Sequence, residues 1–212
     1  MVVECSQAQL TYATDKLPAF SGLADEMQRN SEQQYLAGLW RDSLVLDMCW
    51  YRNDHGKTNQ SPLAGSRAPS WSWASVDGPI TYNSHLFGHY SPNTSVVCFP
   101  EVLAAGCSLH GPSLTGQVNN GFVKLKSSLL PVRVEMGKVY AGSKSLKWWL
   151  YSDGNHEVEE AHGHYYLILM AEVDVTFLTL VVTPINPDLD ECMWEFIWIG
   201  LAYRFANGER EI

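Results

Sequence analysis

From Trp71 onward the chain is a succession of short apolar runs separated by turn residues, and this pattern constrains the fold more than any other feature. The runs are "VVCFPEVLAAGCSL", "GFVKLKSSLLPVRVE", "KVYAG", "LKWWLYS", "HYYLILMAEVDV", "FLTLVVT" and "WEFIWIGLAYRF". Each has the length and β-branched or aromatic content of a strand. Val123 and Leu125 alternate with Lys124 and Lys126, and Val132 and Val134 alternate with Arg133 and Glu135. The apolar parity therefore changes from odd to even near Ser127 and Ser128. A strand cannot change its buried face without an extra residue, so a bulge or tight bend is expected there. "WEFIWIGLAY" is apolar on both parities, as in a central strand buried on both faces. Several such strands imply a barrel or a sandwich, which removes or protects sheet edges.

The first third reads differently. "DKLPAFSGLADEMQRN" offers Ser21 as an N-cap before an amphipathic turn or two. In "EQQYLAGLWRDSLVLDMCWYR", Leu36, Leu39, Trp40, Leu44 and Met48 approximate the stripe of a helix lying on a core. "RNDHGKTNQSPLAGSRAPS" is rich in Gly, Pro, Ser and Asn and reads as a long loop. The expectation is one domain over 1–212, with a helical part at 1–52, a long loop at 53–70 and a β-rich part at 71–212. The fold class is mainly β with N-terminal helices (α+β). It would be an antiparallel barrel-like or sandwich sheet of about seven to nine strands, with helices packed at one end or face.

Composition narrows the function classes. The formal net charge is −9, and no Lys/Arg cluster occurs, which disfavours nucleic acid and anionic membrane surfaces as partners. No apolar run reaches the ~20 residues of a membrane span, and the start has no secretory-signal pattern. The five cysteines are Cys5, Cys49, Cys98, Cys107 and Cys192, odd in number and scattered without a CxxC. They read as free, mostly buried thiols in a reducing, cytoplasmic compartment.

Three blocks carry a resemblance. "LTYATDKLPAFSGLADEM", "YLAGLWRDSLVLDMCWYR" and "RAPSWSWASVDGPITY" closely resemble the region that follows the HET domain in fungal heterokaryon-incompatibility proteins. Later runs, "GQVNNGFVKLKSSLLPVRV" and "WIGLAYRF", are similar to that region more weakly. The motifs of the HET domain itself, such as "SYVWG" and "DALCINQ", are absent, so the resemblance implies a trailing module without the effector domain. The chain starts at a methionine just before the "LTY" block, which leaves two origins open, a stand-alone product and a fragment. The resemblance implies no settled reaction.

The candidate chemistry is sparse. No G-x-S-x-G elbow, P-loop, Rossmann glycine pattern or HExxH is present, so no cofactor or metal is expected. His162 and His164, near Glu157, Glu159 and Glu160, could form part of a metal site on a strand, but a solvated hairpin tip accounts for them as well. His85 and His89 could act as general acid or base, with the solvent-facing loop histidine as the plainer reading. Arg67 suits either a structural ion pair or a substrate clamp. Cys49 and Cys107 read as inert core thiols rather than nucleophiles. Asp15 with Lys16, and Arg41 with Asp42, read as surface or capping charges.

Eight Trp and ten Tyr suggest aromatic walls. Trp71 and Trp73 would share one face of an extended segment. With Tyr82, Phe87, Tyr90 and Trp148 they could line a substrate pocket served by His85, His89 and Arg67.

Two functions follow from these residues. The first is a cofactor-free enzyme of fungal secondary metabolism, a cyclase or pericyclase acting on an apolar small molecule by positioning and hydrogen bonding. The second is a non-catalytic interaction or regulatory module derived from a HET-domain protein. A deep aromatic pocket favours the first, and a sizeable exposed apolar patch favours the second.

Overall fold

A computed structural model describes residues 2–8, 10–52, 67–82, 95–135, 138–142, 146–152, 164–174, 176–185 and 196–205. Side chains are described in all of these except 13, 146–152, 196–200 and 203–205. Among the described residues the α-helices are α1 (Val2–Ser6), α2 (Lys16–Ser31) and α3 (Leu44–Asp47). None of the described helices is long and apolar enough to cross a membrane.

The helix α2 starts earlier than the sequence suggests. It opens at Lys16 and runs through Pro18 and Ser21. Pro18 is tolerated because the first-turn amides have no intrahelical acceptor. Ser21 is therefore not an N-cap; its hydroxyl donates back to the Pro18 carbonyl at 2.7 Å.

The single helix expected after residue 32 is instead four short pieces. Strands β1 (Tyr35–Leu36) and β2 (Leu39–Trp40) form a hairpin, followed by a 3-10 turn at Arg41–Ser43, α3, and strand β3 (Trp50–Arg52). The cause is the Ala37-Gly38 turn. Both residues have positive φ, 46° and 97°, as a two-residue hairpin loop requires and a helix forbids. Of the five residues of the apolar stripe, Leu36, Leu39, Leu44 and Met48 are nonetheless buried and Trp40 is half-buried.

The rest is β. Strand β3 pairs with β4 (Ile80–Tyr82). Strands β6 (Glu101–Leu109) and β7 (Val118–Lys126) form a separate two-stranded sheet. The main sheet contains β5 (Val96–Cys98), β8 (Leu129–Glu135), β9 (Lys138–Ala141), β10 (Leu146–Ser152), β11 (Tyr165–Val173), β12 (Thr176–Pro184) and β13 (Phe196–Phe205). It is antiparallel, in the order β12-β13-β10-β9-β8-β11-β5, and β11 also pairs with β12. The sheet is therefore strongly curled.

The fold is mixed, with helices against several antiparallel sheets rather than one sheet holding every strand. The parity change at Ser127-Ser128 is the point where β7 ends and β8 begins, so it marks a bend from one sheet into another. Inside the curl, Val132, Val134, Val139, Ala141, Tyr165, Leu167, Val181 and Ala202 make a small core. The opposite face of β11, β12 and β13 carries Ile168, Met170, Leu178, Leu180, Val182 and Leu201, and joins the larger core built with the N-terminal elements. A bulge between Leu169 and Ala171 keeps Ala171 and Val173 in that larger core despite their odd parity. Leu201 and Ala202 belong to different cores, so β13 is buried on both faces, as its apolar parities predict.

Candidate functional site

The three blocks that carry the sequence resemblance converge on one place, the Arg67–Tyr82 segment. Its first residues do not run extended. Ser72 N–H donates to the Pro69 carbonyl at 2.9 Å, and a 3-10 turn follows at Trp73–Ser75. The Ser72 hydroxyl caps that turn by accepting from Ala74 N–H at 3.1 Å. The chain therefore rotates between the two indoles. Trp71 and Trp73 do not share a face, which corrects the reading from their spacing.

Trp73 is 1% exposed. Its indole N–H donates to the Gly38 carbonyl at 3.0 Å, and its ring meets Phe20 edge-on at 6.1 Å. The Ser72 hydroxyl donates to the neighbouring Ala37 carbonyl. Both buried carbonyls of the hairpin turn thus receive their donors from the Trp-Ser-Trp block. Gly38 cannot be replaced without conflict, because a Cβ there would overlap Trp73 Nε1 and lie 3.1 Å from Cε2. Trp71 points in the other direction: its ring, like Pro69 and Cys107, lies against the bare backbone of Gly121 on β7. The Trp71 carbonyl accepts from Trp50 Nε1 at 3.0 Å, while its own indole N–H is buried without a partner.

Arg67 is buried. Its Nε donates to the Ala74 carbonyl at 2.6 Å, and Nη2 lies 2.6 Å from Asp77 Oδ1. That contact is an ion pair by distance, but its alignment is not that of a hydrogen bond, and Nη1 has no partner either. Lys16 is buried too, which overturns its reading as a surface charge: Nζ donates to the Val76 carbonyl and sits 5.8 Å from the Trp73 ring centre. Burial, then the Arg67 charge, lowers the Lys16 ammonium from 10.5 to about 8, with Asp77 opposing and Arg52 adding to the shift.

Tyr82 is half-buried on β4, and its hydroxyl donates to the Asp47 carbonyl at 3.4 Å. Burial pushes its phenol well above the ordinary range. Asp47 is raised by burial as well, although its carboxylate accepts from Ser43 Oγ at 2.7 Å and Trp40 N–H at 3.1 Å. Burial raises the Cys49 thiol strongly and Cys107 to about 11, which makes neither a nucleophile at neutral pH. Cys5, Cys49, Cys98 and Cys107 are all free thiols.

The structure thus gathers Arg67, Trp73 and Tyr82 around the N-terminal core, with Trp71 turned to the β6–β7 hairpin. His85, Phe87, His89, Tyr90, His162, Glu157, Glu159 and Glu160 lie outside the described residues, as does the side chain of Trp148. His164 is exposed, and its carbonyl accepts from Thr183 Oγ1 at 3.1 Å. Among the described residues no group of three or more His, Cys, Asp or Glu could hold a metal ion. An open depression of about 290 Å³ lies on β8 and β9, lined by Pro131, Val132, Arg133, Tyr140 and Gly142, none of them a sequence-predicted site residue.

Sequence reasoning missed the exposed apolar side chains near the junction of three strands. β12 occupies one edge of β11, so β8 and β5 share the other. Leu129 pairs with Ile168, Cys98 pairs with Ala171, and Phe99 N–H donates to the Met170 carbonyl at 3.0 Å. Phe99 and Leu129 are thus about two residues apart along one strand, roughly 7 Å. The Glu101–Lys126 pair at 3.7 Å joins the two strands of the β6–β7 hairpin to each other at its open end. Val97, Phe99, Leu103, Phe122, Leu129 and Leu130 are each between 36% and 58% exposed.

No family model, no curated protein and no solved structure matches the chain.

Proposed function

We propose that this chain is a non-catalytic interaction module, related to the region that trails the HET domain, and that it docks on a HET-type domain through the β5–β8 junction. One observation carries the reading. Six large apolar side chains on neighbouring strands stand more than a third exposed, while Trp73 is spent on the interior, clamping a turn. Isolated exposed apolar residues are ordinary; the pairing of β5 and β8 along one edge of β11 is what puts Phe99 and Leu129 near one another. The three resemblance blocks build the support on which this surface rests. The same reading treats the curled sheet as a small closed barrel, since the pairings β11–β12–β13–β10–β9–β8 return to β11.

The test is a calorimetric titration of the chain with a separately produced HET-type domain. A saturable complex that Phe99→Asp and Leu129→Asp abolish, with both variants folded, supports the proposal. No heat of binding refutes it. Light scattering that shows a dimer of the chain itself, lost in Phe99→Asp, assigns the surface to self-association instead and also refutes it.

A second reading keeps the small-molecule enzyme, a cofactor-free cyclase with His85 and His89 as acid or base. The unpartnered buried donors Arg67 Nη1 and Trp71 Nε1 favour it, because donors held away from water are what polarise a bound carbonyl. Retention of activity toward an apolar polyene by a His85→Ala/His89→Ala variant would exclude those residues from the chemistry.

A further inference from the structure

We propose that the hollow on the outer face of β8 and β9 binds the carboxylate end of a small organic acid, with Arg133 as its clamp. Strand register builds the site. Val132 pairs with Ala141 and with Tyr165, and all three side chains belong to the core inside the curl. Side chains alternate along a strand, so Arg133 and Tyr140, the next pair, stand on the outside. The same register carried one residue back from Tyr165 brings His164, which is exposed, beside Arg133. Lys147 is the partner of Tyr140 on β10 and extends the row to a fourth strand. The row therefore holds three basic residues and a phenol.

The space comes from Gly142, one residue past Ala141. It has φ 68°, and a Cβ there would meet nothing within 4 Å. The hollow it leaves measures about 290 Å³ and is lined by Pro131, Val132, Arg133, Tyr140 and Gly142. That is near the ~300 Å³ at which small-molecule sites begin. The Arg133 guanidinium is held at one point only: Nη1 donates to Glu135 Oε1 at 2.9 Å. Glu135 lies two residues along the same face of β8, so this bond steadies the group along the strand. Nε and Nη2 make no bond to the described residues, and they form the edge that a planar carboxylate meets with two parallel hydrogen bonds. The Glu135 carboxylate opposes a dianion, which favours a single carboxylate over a phosphate. Pro131 and the Tyr140 ring supply apolar walls for the body of the acid. This site requires no partner domain, so it stands or falls separately from the docking at the β5–β8 junction.

Nuclear magnetic resonance titration of the chain alone provides the test, with benzoate as the probe at constant ionic strength and with neutral benzamide and inorganic phosphate as the other two arms. The site predicts that the Arg133 Nε–H and Gly142 amide resonances shift with benzoate along one saturable isotherm, while the Trp73 Nε1–H resonance stays still. Benzamide should bind about ten-fold more weakly or less, the scale of one charge-assisted hydrogen bond, and phosphate more weakly than benzoate. Arg133→Gln should weaken benzoate by a similar ten-fold or so. Gly142→Asn fills the hollow with a residue type that tolerates left-handed backbone, and it should abolish the shifts. If Gly142→Asn does not fold, Arg133→Gln carries the comparison. The proposal is overturned if benzoate gives no saturable shift, if benzamide or phosphate binds as tightly, or if a folded variant binds benzoate as the wild type does.

Discussion

Gly38→Ala tests the junction between the hairpin turn and the Trp-Ser-Trp block. The substitution acts in three ways. Gly38 has φ 97°, and a Cβ in left-handed backbone costs about 1–2 kcal/mol. The new methyl would overlap Trp73 Nε1 and sit 3.1 and 3.2 Å from Cε2 and Cδ1. Overpacking of this kind costs about 1–3 kcal/mol. The indole cannot retreat without stretching its 3.0 Å bond to the Gly38 carbonyl, which leaves a buried donor and acceptor unmatched for about 1–3 kcal/mol. These costs overlap, so a loss of about 3–5 kcal/mol is expected, a large part of a typical domain stability. The assay is urea unfolding followed by tryptophan fluorescence and by circular dichroism, with Trp73→Phe as a partner variant. Phenylalanine lacks the Nε1 corner that the methyl strikes. The double variant should therefore lose at least about 1 kcal/mol less than the two single losses combined. A Gly38→Ala protein within about 0.5 kcal/mol of wild type, the range of an ordinary surface change, would refute the packing described here. So would strict additivity in the cycle.

Three further outcomes follow from named contacts. Thr115 is fully buried, and its hydroxyl donates to Asp25 Oδ1 with the Ser21 carbonyl 3.2 Å away, so it pins the β6–β7 hairpin loop to α2. Thr115→Val should cost about 1.5–3 kcal/mol in denaturant titrations, and a neutral effect would contradict the pin. The Lys16 ammonium falls from 10.5 to about 8 on folding, so the unfolded chain binds more protons between those values and stability rises with pH across that window. The stability of wild type relative to Lys16→Met should therefore improve by about 3 kcal/mol between pH 7 and 10.5, and a constant difference would dismiss the shift. Cys98 is exposed and Cys49 is buried with its thiol donating to the Val45 carbonyl at 3.3 Å. Iodoacetamide at pH 8 should label Cys98 in the native protein and Cys49 only after unfolding, as read by mass spectrometry; equal rates would contradict the burial.

The strands were legible because their signal is local. Alternation at Val123–Lys126 and Val132–Glu135 reports a half-buried surface residue by residue, and it gave both strands and the break between them. The N-terminal half was harder for a physical reason. Leu36, Leu39, Leu44 and Met48 fit a helical stripe, yet the backbone was decided by Ala37-Gly38, whose positive φ values are secured by donors some 35 residues away in sequence. Periodicity contains no term for such a clamp. The same limit applies to Lys16, which reads as a surface charge beside Asp15 until Val76, Trp73 and Arg67 close over it. The two indoles were misplaced because i, i+2 spacing implies a common face only in extended chain, and Ser72 turns the chain instead. Phe99 and Leu129 are thirty residues apart, and only the shared edge of β11 brings them side by side.

The proposed docking uses the β5–β8 junction as the contact and the tryptophan block as internal support. Hydrogen exchange with and without a stoichiometric HET-type domain separates the two regions. Docking at the junction gives new protection at residues 96–103 and 122–130 and leaves residues 67–77 unchanged. Protection confined to 67–77, or none at all, refutes the docking.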